Sequence, residues 1–196
     1  MQISGYNAAA ATYVTSPANN GTITVQGNIY RIIPHSSQTP LSSSYASDLG
    51  GRWNGPGTFP VLYTSASMAA ARAFVNWQVN FGGIDLADWA PEDQPDLLVL
   101  SIEAAFADVA SDSGLKFYGL PTPYPIGYLG SEAWTSTQPI GAAIYSAGWP
   151  GLVTRSATMS DWSGPIHEWA EVAIFTGQAP TPALVERIDY KDWYQV

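Results

Sequence analysis

The chain has 196 residues, 46% of them hydrophobic and 13% aromatic, enough to bury the core of one domain and too apolar for a disordered segment. Sixteen acidic residues against seven basic ones give a formal charge of −9, with no basic stripe of the kind a nucleic-acid binder needs. Cysteine is absent and there are two histidines, so disulfides and thiolate metal sites are excluded, no metal centre is expected, and no apolar run is long enough to cross a bilayer.

Residues 1–20 are small and polar and read as an irregular N-terminal arm. Met1-Gln2-Ile3-Ser4 lacks the basic start and apolar core of a signal peptide, so a cytoplasmic protein is expected. Thr22–Val25 alternates, Gln26-Gly27-Asn28 reads as a turn, and Ile29–Ile33 alternates again, which together predict a β-hairpin. Alternation puts Ile29, Arg31 and Ile33 on one face and Tyr30 and Ile32 on the other. An arginine in phase with two isoleucines either snorkels to solvent or needs a partner, because an unpaired buried guanidinium is costly. Pro34–Leu49 reads as a Ser- and Pro-rich loop whose His35 is solvent-exposed or a general acid/base, with no metal partner near it in sequence.

Gly50–Gly57 holds four glycines and one proline in eight residues and cannot be regular structure. It nevertheless carries Arg52, Trp53 and Asn54 side by side. Arginine offers fixed donors for phosphate or carboxylate, tryptophan offers a face for a planar ring, and the glycines allow close backbone approach. The alternative is a structural loop with a buried tryptophan and a surface arginine. Val61–Ser65 reads as a short strand, and Ser67 caps an Ala-rich helix from Met68 to about Val79 that turns Met68, Ala71, Phe74/Val75 and Gln78/Val79 inward.

Asn80–Asp96 is acidic and punctuated by Gly and Pro. Leu97–Ile102 reads as a central strand, and Phe106–Leu115 as a loop or helical turn. Lys116–Ser131, with three prolines and three glycines, reads as a flap or an Ω-loop. Thr137-Gln138-Pro139 opens a helix with Ile140, Ala143, Ile144 and Ala147 inward, closed by Gly148. Gly151–Thr154 is a short strand leading to Arg155-Ser156. Glu168 and Glu171 stand at the start of the strand Val172–Phe175, either as site carboxylates or as ordinary rim acids. Leu184–Ile188 is a final strand, after which Trp193 and Tyr194 tuck the tail down. Eight tryptophans also leave room for a carbohydrate-binding β-domain, which predicts a row of exposed aromatics and no converging arginines.

The order Tyr30-Arg31-Ile32, then Gly50-Gly51-Arg52-Trp53-Asn54-x-Pro56-Gly57, then Leu62-Tyr63-Thr64-Ser65 and an Ala-rich helix resembles the RES domain family over roughly residues 28–176. Gly148-x-x-Gly151-Leu152-Val153 and Arg155-Ser156 extend that resemblance. It implies a single α+β domain over 1–196, with an ADP-ribosyltransferase-like split or mixed β-sheet, a few flanking helices and long loops.

The resemblance also implies an NAD-consuming toxin of RES–Xre type, a glycohydrolase, phosphorylase or ADP-ribosyltransferase that takes NAD as substrate and needs no metal. A helix-turn-helix antitoxin of the Xre type is the implied partner. Arg31 falls on the family's first arginine and Ser156 on its serine. Arg31 and Arg52 would bind the pyrophosphate, Tyr63 would position or stack on the nicotinamide side, Asn54 and Ser156 would hold ribose or phosphate, and Trp53 and Ser65 are counted with them as NAD-binding residues. The family's glutamate lies eleven residues after the strand tyrosine, and here that position is Phe74. The oxocarbenium-like state of NAD cleavage needs a carboxylate, so Glu168 is expected to supply it, with Glu171 beside it, or else the domain is a silent nucleotide- or protein-binding module.

Overall fold

The computed structural model describes residues 12–15, 21–82, 89–125, 134–159 and 163–194. The readings of the N-terminal arm at 1–11 and 16–20, of the acidic stretch at 83–88 and of the Pro-rich stretch at 126–133 lie outside the described residues. In chain order the elements are β1 (Thr12–Thr15), β2 (Thr22–Pro34), α1 (Ser44–Leu49), β3 (Val61–Ser65), α2 (Met68–Gly82), β4 (Pro95–Val109), α3 (Asp112–Phe117), α4 (Trp134–Ser146), β5 (Gly151–Arg155), α5 (Ile166–Trp169), β6 (Ala170–Phe175), β7 (Ala183–Ile188) and α6 (Tyr190–Trp193).

The strands form one mixed sheet in the order β1-β2-β3-β6-β5-β4-β7, in which β2 and β4 also pair directly. The path β2–β3–β6–β5–β4 therefore closes on itself, with β1 and β7 as margins. Its weakest seam is β2–β3, joined at the single pair Tyr30↔Ser65. Its strongest is β2–β4, antiparallel and unbroken from Thr22↔Ala107 to Pro34↔Pro95. The fold class is α+β, as expected.

The expected hairpin is absent. Gln26-Gly27-Asn28 lies inside β2, opposite Glu103-Ile102-Ser101. Local turn chemistry lost to tertiary pairing, because β4 offers a continuous ladder partner along the whole strand. The same ladder carries β4 on to Val109, so the loop expected from Phe106 is strand, with Phe106, Ala107 and Val109 buried. Helix α3 is then capped by Ser111, whose hydroxyl accepts the Gly114 N–H at 3.0 Å. Part of the expected irregular arm is strand β1, and part of the expected loop Pro34–Leu49 is helix α1.

Alternation along β2 sorts two cores as expected. Ile29 and Ile33 join Leu98, Leu100 and Phe106 on one face, while Tyr30 joins Leu97, Val99 and the buried Ala71 and Val75 of α2 on the other. The Ser67 hydroxyl caps α2 by accepting the Ala70 N–H at 3.0 Å. Phe74, expected inward as one of the alternatives at its turn, is 37% exposed and stacks on Trp77, leaving Val75 to fill the core. Helix α4 starts three residues earlier than Thr137 and buries Thr137, Gly141 and Ile144, whereas Ala143 and Ala147 are exposed. At the C-terminus Trp193 is fully buried, its indole N–H donating to the Pro95 carbonyl at 3.0 Å, which holds the tail down as anticipated.

Candidate active site

The Gly50–Gly57 loop is built around Tyr63 of β3. Gly51 admits no side chain, since a Cβ there would stand 2.6 Å from the Tyr63 hydroxyl. That hydroxyl donates to Asn54 Oδ1 at 2.9 Å and accepts the Trp53 N–H at 3.0 Å. The Asn54 amide in turn donates to the carbonyls of Ala46 at 2.6 Å and Phe59 at 3.2 Å. Helix α4 clasps the loop from outside: Gln138 Nε2 donates to Gly51 O at 2.9 Å, and the Thr137 hydroxyl donates to Arg52 O.

Two ligand-facing expectations therefore change. Asn54 is fully buried and occupied by the loop it staples. Trp53 is also fully buried, packed in a third core cluster with Phe59, Leu152 and Phe175, its ring edge-on to Tyr124 at 6.1 Å. A buried indole satisfies the hydrophobic drive of the loop and leaves no face for a planar ligand. Tyr63 is half-buried, and burial pushes its phenol well above the usual tyrosine range, so it acts as a neutral hydrogen-bonding strut.

Arg52 is 8% exposed. Its Nη2 forms an ion pair with Glu171 Oε2 of β6, and its Nη1 donates to the Arg155 carbonyl at 3.3 Å. Burial works against the charge, but the Glu171 carboxylate and the Tyr124 and Tyr63 phenols outweigh it and raise the guanidinium pKa overall. The register explains the meeting. Tyr30 pairs with Ser65, Ser65 with Glu171, and Glu171 with Thr154, so one row crosses β2, β3, β6 and β5. Ser65 is buried in that row. The Glu171 side chain keeps 19% exposure and forms the outer end of the pair.

Arg31 lies on the other side of β3. Its Nε donates to Pro40 O at 3.1 Å, its Nη1 to Tyr63 O at 3.0 Å and its Nη2 to Ser42 O at 3.0 Å. Three main-chain carbonyls thus hold a half-buried cation across the β2–β3 seam, and among the described residues no carboxylate neutralises it. Burial pulls its pKa down to about 10, which leaves it charged at neutral pH. Arg31 and Arg52 are held by different partners, one by carbonyls and the other by Glu171.

Glu168 forms no ion pair with Arg31 or Arg52 among the described residues. It sits exposed on the short helix α5, and its main-chain carbonyl accepts the Ser67 hydroxyl at 2.6 Å. The carboxylate at the arginine is Glu171, three residues further on in β6. Ser156 is buried at the end of β5, where its hydroxyl meets Thr158 Oγ1 at 3.0 Å and its N–H donates to Trp169 O at 3.3 Å. Arg155 and Tyr124 escaped the sequence reading of the site, although Arg155 carries the same signal as Arg31, a lone arginine on an apolar strand.

His35 lies elsewhere, with Nδ1 3.0 Å from both Asp96 carboxylate oxygens. Asp189 completes a group whose potential ligand atoms lie within 4.8 Å of one another, so the structure does bring metal-type side chains to His35. Asp96 is already paired with Arg187 Nε at 2.6 Å, which compensates its charge without an ion.

Similarity to known proteins follows the same architecture. A chain of the M. tuberculosis MbcT–MbcA toxin–antitoxin complex, known from its crystal structure, superposes with a TM-score of 0.71 at 20% sequence identity, covering 90% of this chain and 93% of that one. At that identity the likeness is one of fold. Comparison with curated proteins gives no match. No helix among the described residues is long and apolar enough to cross a membrane. The RES domain family matches residues 28–196, which include the whole closed circuit except the first residues of β2 and every site residue just described, and the chain belongs to that family.

Proposed function

We propose that this domain binds NAD and cleaves its nicotinamide–ribose bond, acting as a toxin in the cytoplasm that a second protein neutralises. The observation that supports this reading is the Arg52–Glu171 pair. Cleavage breaks the C–N glycosidic bond, the bonding electrons leave with nicotinamide, and positive charge develops on the ribose before water, phosphate or a protein side chain adds. A carboxylate at the outer end of a buried pair, held in place from behind by a guanidinium, is suited to stabilising that charge. Glu171 takes this role and Arg52 positions it. Arg31, the cation without a carboxylate, is the residue for the pyrophosphate, and Ser65 and Ser156 are the hydroxyls for ribose or phosphate.

The neighbouring fold belongs to a toxin–antitoxin complex. By that likeness we assign this chain a neutralising protein partner, with an Xre-type helix-turn-helix protein as the first to test.

A second reading has its own support. Phe74 is an exposed aromatic at the position where the family resemblance sets a glutamate, which fits a silent nucleotide- or protein-binding module. One assay separates the two: purified protein is incubated with NAD, and nicotinamide release is followed with and without phosphate. Release that Glu171→Gln lowers by about 10²–10³ and Glu168→Gln leaves alone carries the enzyme reading. NAD binding without release, with binding read by titration calorimetry, carries the silent nucleotide-binding module, and neither binding nor release overturns every reading in which NAD is the ligand.

A further inference from the structure

We propose that Arg155 is a positioning residue for this site, acting through Tyr124; the inference rests on the NAD-cleaving reading above. Arg155 is 9% exposed and closes β5 with its guanidinium turned toward the segment Leu120–Pro125. Its Nη1 donates to Thr122 O at 2.6 Å and Tyr124 O at 3.3 Å, its Nε to Ala110 O at 2.9 Å, and its Nη2 to Asp112 Oδ1 at 2.6 Å. Asp112 is 74% exposed, so that ion pair is solvent-screened, and the carbonyl contacts define the geometry. No shorter or single-headed side chain spans three carbonyls from two separate turns, which makes the planar fork of arginine the relevant chemistry.

What the fork holds is Tyr124. This residue is fully buried, edge-on to Trp53 at 6.1 Å, with its phenol against the Arg52 guanidinium, where it helps to raise the Arg52 pKa. The Arg155 carbonyl meanwhile accepts Arg52 Nη1 at 3.3 Å. Arg155 therefore fixes Arg52 twice, once through its own main chain and once through the tyrosine it clamps. Arg52 in turn carries Glu171. Displacement of a catalytic group by about 1 Å can cost about 10²-fold in rate, so the clamp bears on turnover although Arg155 touches no reacting atom.

The test compares Arg155→Lys and Tyr124→Phe with wild type in two measurements. In Arg155→Lys, amide hydrogen exchange at Tyr124, whose N–H donates to the Pro121 carbonyl at 2.9 Å within the clamped turn, is expected to quicken roughly 10-fold, the loss of about one net hydrogen bond. In steady-state nicotinamide release, both variants are expected to lower kcat roughly 10- to 100-fold with KM within about twofold, and the double variant to lose no more than the worse single one. Unchanged exchange in Arg155→Lys, or faster exchange with unchanged kcat, overturns the proposal. Unchanged kcat in Tyr124→Phe overturns it too, even if Arg155→Lys does not fold. A wild type that releases no nicotinamide overturns the underlying activity, and that result appears before any variant is made.

Discussion

Arg52→Ala is the substitution on which the account of the site turns. If the arginine were a ligand-binding group on an open glycine loop, its loss would leave stability within about 0.5 kcal/mol of wild type. The structure predicts otherwise. Removing one partner of a buried ion pair typically costs about 3–5 kcal/mol, because the other charge is left uncompensated. Glu171 retains 19% exposure, so water relieves part of that cost and the lower end, about 2–3 kcal/mol, is expected. For a domain of this size each kcal/mol lowers Tm by about 2–4 °C, giving a fall of about 4–12 °C by calorimetry or circular dichroism. Glu171→Gln keeps an acceptor but leaves the more deeply buried Arg52 charge uncompensated, so it should cost about 2–3 kcal/mol as well. Since both residues share one interaction, the double variant should be at least about 1 kcal/mol more stable than the sum of the single losses predicts. An Arg52→Ala variant that melts within about 2 °C of wild type, or a cycle that sums without coupling, would refute the pairing and return Arg52 to the ligand.

Three further outcomes follow from the same geometry. Gly141→Ala should destabilise severely despite the helix propensity of alanine, because the new Cβ would stand 1.9 Å from the Trp53 carbonyl; failure to express folded protein, or loss of more than about 3 kcal/mol in a urea titration, is expected. Ser67→Ala removes both the cap on α2 and the hydroxyl donor to Glu168 O, so the urea midpoint should move by the equivalent of about 1–2 kcal/mol. Phe74→Glu should leave stability within about 1 kcal/mol, since the ring is partly solvent-exposed, and should not raise nicotinamide release; a rise would put the working carboxylate on α2 instead of β6.

Much of this fold was legible where local pattern and tertiary demand agree. The alternation of Ile29, Tyr30, Ile32 and Ile33 named the two faces of β2 correctly because both faces are covered by apolar layers. Helix α2 was legible from its serine cap and its small inward residues. What failed was local chemistry overruled from afar: Gln26-Gly27-Asn28 has the composition of a turn but pairs with residues 101–103, far along the chain. Ala104 and Ala105 likewise extend β4 because Val25 and Thr24 lie opposite. The site shows the same division. The Gly-rich loop announced itself, yet whether Trp53 faced a ligand or the core depended on Tyr124 and Phe175, which no local pattern joins to it. Glu168 and Glu171 stand three residues apart, and it is the end of α5 and the pairing of β6 with β3 and β5 that leave Glu171 to meet Arg52.

The closed circuit of strands has a consequence for how the chain assembles. The β2–β4 ladder joins residues 61 to 85 positions apart, and the remaining seams wait for β5 and β6 near the C-terminal end. Such long-range pairings close loops before any contact rewards them, so folding is expected to be slow for a domain of this length. During synthesis β2 leaves the ribosome with only the short β1 and the single β3 pair to meet until β4 follows, and Arg52 has no carboxylate until β6 emerges. A chain interrupted between Ser156 and Ala170 therefore holds every arginine of the site and lacks the carboxylate that pairs with Arg52.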